Sequence, residues 1–105
     1  MLSQNIRLVA GTATVFPFTM NGASQQVLAA NASRLDYSIF NPSAVALNAN
    51  GDNLYVKFSA GAAQDGTSWE ILPGGYFPPP GMAPWTGPVF LEGASGVLPT
   101  VVEFT

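Results

Sequence analysis

Asn48, Asn50 and Asp52 place oxygen-bearing side chains at every second position, the spacing with which a calcium loop begins. Two of the three are neutral amides, and the acidic ligand that closes such a loop is missing, so an ordinary loop is expected here and no bound metal. Nucleophilic chemistry meets a similar obstacle. Ser and Thr are plentiful, but a serine nucleophile needs a base, and the chain contains neither His nor Cys. The remaining base on a strand is Lys57, whose expected place is the solvent face of that strand. Paired carboxylates could cleave a glycosidic bond, yet Asp36, Asp52, Asp65, Glu70, Glu92 and Glu103 are scattered, and nothing in their spacing selects a pair. No enzyme, no cofactor and no metal are expected.

Binding is the other chemistry that the residue types allow. Tyr76, Phe77 and Trp85 sit in or beside a Pro-rich segment rather than in long alternating strands. Exposed, they could anchor a protein partner or stack on a sugar; buried, they would cap one open end of a core. Capping and protein contact are both carried forward, ahead of sugar binding.

The elements that must position these residues are strands. Residues 33–40 alternate, with Leu35, Tyr37 and Ile39 on one side and Arg34, Asp36 and Ser38 on the other, so that Arg34 and Asp36 could pair. Residues 53–59 repeat the pattern with Leu54, Val56 and Phe58 against Tyr55 and Lys57. These two are expected to form an antiparallel pair at the centre of a sheet. Residues 12–18 make a further strand that is an edge or ends at Pro17, which cannot donate to a ladder, followed by a hairpin turn at Asn21-Gly22 and a short run over 25–30 that could return beside it, with a short helix as the competing assignment. Asn50-Gly51 fits a second tight turn. Residues 67–72 carry Trp69 and Ile71 on one face before Pro73-Gly74-Gly75 stops them. Tyr76 and Phe77 open a short strand halted by Pro78, Pro79 and Pro80, and residues 87–93 and 100–105 supply two more. The expected core is Leu35, Tyr37, Ile39, Leu54, Val56, Phe58 and Trp69. The fold class is therefore all-β: a small antiparallel β-sandwich, jelly-roll-like, or a barrel, with little or no helix. A single domain spans residues 12–105, preceded by an edge strand or arm over residues 1–11.

Composition bounds the partners. Charged residues make up 9% of the chain, against about 25% in an average soluble domain. A surface so poor in charge suits a protein covered by copies of itself or by partners, since interface cores are depleted in charge. Six acids against three bases give a net charge of -3, and with Arg7, Arg34 and Lys57 scattered, no nucleic acid is expected as a ligand. The first residues have neither a basic start nor a long apolar run, and no stretch approaches the roughly 20 apolar residues of a membrane span. A soluble, unprocessed chain with no membrane association is expected.

Taken in order, Asn31-Ala-Ser-Arg34, Ile39-Phe-Asn-Pro-Ser43, Leu54-Tyr-Val-Lys-Phe58, Leu72-Pro-Gly-Gly-Tyr76, Thr86-Gly87 and Val101-Val-Glu-Phe104 resemble a pattern found in small structural proteins of tailed bacteriophages. The resemblance covers residues 31–105 and leaves the N-terminal region and residues 44–52 unexplained. It implies a virion component that works by binding: a capsid decoration or cement protein, or an accessory piece of the head, neck or tail. Its partners would be the major capsid protein or other virion proteins, with copies of itself in a homo-oligomer, a trimer among the candidates. The contacts implied are Ile6, Arg7 and Leu8 of the N-terminal segment together with Tyr76, Phe77, Pro79 and Trp85. A carbohydrate-binding host-adhesion module is the alternative.

Overall fold

Alternation of large apolar and small or polar side chains gives strands two unlike faces, and burying the apolar face of each requires a second sheet. The computed structural model describes residues 11–42, 53–61 and 68–105, and shows eight strands in two antiparallel sheets. They are β1 (Ala13–Pro17), β2 (Gln25–Leu28), β3 (Asp36–Phe40), β4 (Leu54–Lys57), β5 (Trp69–Ile71), β6 (Tyr76–Phe77), β7 (Val89–Gly93) and β8 (Thr100–Phe104). One sheet has the order β1-β8-β3-β6 and the other β2-β7-β4-β5. No helix occurs among the described residues.

The pairings explain the order. β4 pairs with β5, β3 with β6, β2 with β7 and β1 with β8, all antiparallel, which is one long nested hairpin. Rolling that hairpin up brings β8 against β3 and β7 against β4. The result is an eight-stranded jelly roll. β3 and β4 are therefore both interior strands, but of different sheets, and the central pair expected between them does not form. Likewise β2 does not return beside β1. The turn at residues 21–23 carries the chain across to the other sheet, with Gly22 at φ +86°, the Ala23 amide donating to Asn21 Oδ1 at 2.9 Å and the Asn21 amide donating to Gln25 Oε1 at 3.0 Å. Residues 25–28 are strand, not helix.

Tyr37, Ile39, Phe77 and Val101 from one sheet meet Leu28, Leu54, Val56, Ile71, Val89 and Leu91 from the other. Each such side chain contributes roughly 1.5–3 kcal/mol when fully buried. Met20 and Val97 plug one end, joined by the Met20 amide donating to the Val97 carbonyl at 2.8 Å. Gly93 makes room for that plug: a Cβ there would lie 2.7 Å from Leu54 Cδ2 and 3.2 Å from Met20 Cγ.

Three expected core or surface positions are corrected. Leu35 is exposed, because β3 begins only at Asp36 and the inward place before it is taken by the Arg34 side chain. Trp69 is 48% exposed; it has the inward phase of β5, opposite Val56, but at the rim, where its ring meets Phe77. Lys57 is 7% exposed rather than solvated. It lies on the outer face, opposite Phe90, where the chain at Gly61 passes close to its Nζ. Phe58 is half-buried against the core, as its phase suggests.

Candidate protein-binding surfaces

Arg34 organises one pole of the sandwich, the one where β1 begins, β8 ends and β2 hands over to β3. Its Nε donates to Glu103 Oε2 at 2.8 Å, and one terminal nitrogen donates to the carbonyls of Trp85, 2.9 Å, and Gly87, 2.8 Å. The other terminal nitrogen donates to the Ala29 carbonyl. The guanidinium also sits 5.7 Å from the centre of the Tyr37 ring. A planar fork suits this task, since it satisfies four acceptors from three chain segments at once. The expected Arg34–Asp36 pairing is thus replaced by Arg34–Glu103. β8 explains why: Val101 and Glu103 share its inward phase, so the carboxylate must find a base inside. Asn31 adds to the cluster, its Nδ2 donating to Glu103 Oε2 at 3.4 Å while its amide donates to the Thr86 carbonyl at 2.8 Å.

This cluster fixes the approach to β7 and with it Trp85. The indole ring lies over Gly87, where a Cβ would come within 2.3 Å of it, packs on Phe58 at 5.0 Å between centroids, and donates from Nε1 to the Pro88 carbonyl at 2.9 Å. Phe58 in turn meets Phe77, which meets Tyr37 and Trp69. The aromatics in and beside the Pro-rich segment therefore divide. Trp85 caps the pole while keeping one side exposed, and Pro79 is exposed in the same connection. Phe77 is 3% exposed and belongs to the core, so its expected role as a partner contact is corrected. Tyr76, one residue earlier on β6, faces the opposite way and is 57% exposed. Ile6, Arg7 and Leu8 lie outside the described residues, as do Asn48, Asn50, Gly51 and Asp52.

Tyr76 leads to a surface that sequence reasoning missed. On the outer face of the β1-β8-β3-β6 sheet, register places Tyr76 beside Phe40, Phe40 beside Thr100, Thr100 beside Pro17, and Val15 beside Val102. Val15, Phe40, Tyr76 and Phe104 are all exposed there. Among the described residues, Asp36 is the one charged residue that the strand register places in this face. The outer face of the β2-β7-β4-β5 sheet differs, since its phase places Gln26, Tyr55, Lys57, Glu70 and Glu92 around Phe90. The signal was available in the sequence: Val102 and Phe104 on β8, and Val15 on β1, are apolar on the phase opposite to Val101 and Phe16, which is unusual for strands with one face in water. At the Pro17 end a shallow groove of about 370 Å³, lined by Val15, Phe16, Phe18, Leu98 and Pro99, continues the apolar surface.

No protein-family model matches the chain, and neither a curated protein nor a solved structure is significantly similar to it. Jelly rolls serve viral capsid, lectin and cupin domains alike, so the architecture alone selects no function. Among the described residues no three or more Asp or Glu gather as a metal site would require.

One buried polar group stands out beside Arg34. The Tyr37 hydroxyl finds no hydrogen-bond partner among the described residues. Burial pushes its pKa up from 10.0 to about 12, with the nearby Arg34 charge pulling it down and Asp36 raising it.

Proposed function

We propose that the protein is a non-enzymatic structural component of a bacteriophage virion, a decoration or cement protein that seats on the capsid lattice through protein contacts. The observation that carries this reading is the outer face of the β1-β8-β3-β6 sheet, where Val15, Phe40, Tyr76 and Phe104 are exposed with Asp36 as the one charged residue among those described. Contiguous exposed apolar surface on a small domain marks an interaction site, and exposed aromatics such as Tyr76 and Phe40 are the side chains that anchor interfaces. The order of motifs across residues 31–105 supplies the phage assignment, with the major capsid protein or another virion protein as partner. Many copies on one lattice would multiply a modest individual affinity.

The test is titration of the purified protein onto phage particles freed of it, with copy number counted by quantitative mass spectrometry. Saturable binding at lattice-scale stoichiometry is expected, and Phe40→Asp combined with Tyr76→Asp should abolish it while leaving the fold intact by circular dichroism. Occupancy of only a few copies would move the protein to the neck or tail. Saturable quenching of Trp fluorescence by sugars, without particle binding, would replace the reading with the adhesion module.

A further inference from the structure

Each sheet has two edges, and the chain treats them unequally. β2 is broken by a register shift between Gln26 and Leu28. β5 has three residues and carries Glu70, and β6 has two residues before the prolines at 78–80. Bulges, charges, shortness and proline are the devices by which edges are protected from pairing with another chain. β1 is the least protected: five residues, Ala-Thr-Val-Phe-Pro, with Pro17 at its very end as the one such device, no charge, Val15 61% exposed, and no strand on its far side among the described residues.

The direction of its hydrogen bonds can be read off. Thr12 and Thr105 exchange both backbone bonds, at 2.7 and 2.9 Å. In an antiparallel ladder such pairs alternate with pairs that make none, so Thr14 and Phe16 are the next residues to bond across to β8. The N–H and C=O groups of Ala13 and Val15, and the C=O of Pro17, then point to the open edge. This also explains Pro17, whose missing N–H would have faced outward and costs the β1–β8 ladder nothing.

We infer that β1 pairs antiparallel with β1 of a second copy of this chain, joining two four-stranded sheets into one continuous sheet about a two-fold axis near Val15. Antiparallel pairing of a strand with itself presents each edge-facing donor to an acceptor by symmetry. In the register centred on Val15, the two Val15 residues exchange both bonds and each Ala13 N–H reaches the other copy's Pro17 carbonyl. The absence of charge in β1 removes like-charge repulsion across the axis and gives a foreign strand no charge to recognise. The adjoining groove at Val15, Phe18 and Leu98 extends the covered surface beyond the ladder. This contact is independent of what the outer face of the sheet binds. It is small beside the roughly 800 Å² per partner of a free-standing dimer, so association is expected to depend on concentration.

Sedimentation velocity of the full chain over rising concentration tests this. The mass should move from one chain to two, and exchange of the Val15 amide, followed by NMR, should slow in step. Val15→Pro removes an N–H that β8 does not use, so it should hold the one-chain mass at every concentration with an unchanged melting temperature. Should that variant misfold, Val15→Lys keeps the strand backbone and is expected to block pairing by repulsion across the axis. A one-chain mass at the highest concentration, a three-chain mass, a dimer that survives both substitutions, or Val15 protection independent of concentration would each overturn the inference. The last result would mean that the chain covers its own edge.

Discussion

Arg34 and Glu103 are the residues whose loss the fold would feel most sharply. Each is polar, inward-facing and held by the other, and removing one partner strands the other charge in the interior, at a cost of about 3–5 kcal/mol. Arg34→Met should therefore lower the melting temperature by roughly 10 °C or more in a domain this size, and Arg34→Lys should rescue little, because an ammonium cannot span Glu103, Ala29, Trp85 and Gly87 together. Thermal unfolding by circular dichroism checks both. Tyr37 behaves oppositely. Its hydroxyl is buried without a partner, so Tyr37→Phe should be neutral or stabilising by about 1 kcal/mol at neutral pH. The wild-type protein should also weaken in base. With the folded pKa near 12 against 10.0 unfolded, the stability tied to the neutral phenol is complete below pH 10.0 and is lost as pH rises towards 12. Denaturant unfolding along that pH range should show the decline in wild type and much less of it in Tyr37→Phe. The Arg34–Glu103 pair was within reach of the sequence, since Glu103 shares the phase of Val101 and the chain offers only three bases. A separation of 69 residues is what hid it.

The strands themselves were legible because alternation is local. Leu54 and Val56, Tyr37 and Ile39, and the stop at Pro73-Gly74-Gly75 announce their elements without help from the rest of the chain. Alternation says nothing of which strand lies alongside which, and β3 and β4, the two clearest, proved to belong to different sheets. Rims were also beyond it: Leu35 and Trp69 have the inward phase but lie at or just before the start of their strands, where both stay exposed. Glycine reads differently. Gly87 is where the indole of Trp85 lies down, and Gly87→Ala would set a methyl within 2.3 Å of that ring. The substitution should lift Trp85 off Phe58, cost about 1–3 kcal/mol and shift its emission to the red, measured with Trp69→Phe in the background so that a single indole reports.

At the scale of the whole molecule, nesting makes the most distant strands neighbours. Ala13 pairs with Phe104, and β2 with β7, so the chain must close its largest loops before either sheet is complete. Refolding is therefore expected on the millisecond-to-second scale typical of non-local β-proteins, and stopped-flow fluorescence should show it. The jelly roll was foreseeable only as a class, because strand order follows from the rolling and not from any residue. The same closure has a practical side. Gly11 and Thr105 lie together, so closely that a Cβ on Gly11 would strike the Thr105 carbonyl. Any tag, label or cargo fused before Gly11 or after Thr105 would leave from one pole, the Arg34 and Trp85 pole, and the opposite pole, with its Met20 plug, would stay unencumbered. On a particle surface, gold or a fluorophore on such a fusion would report which way the domain stands.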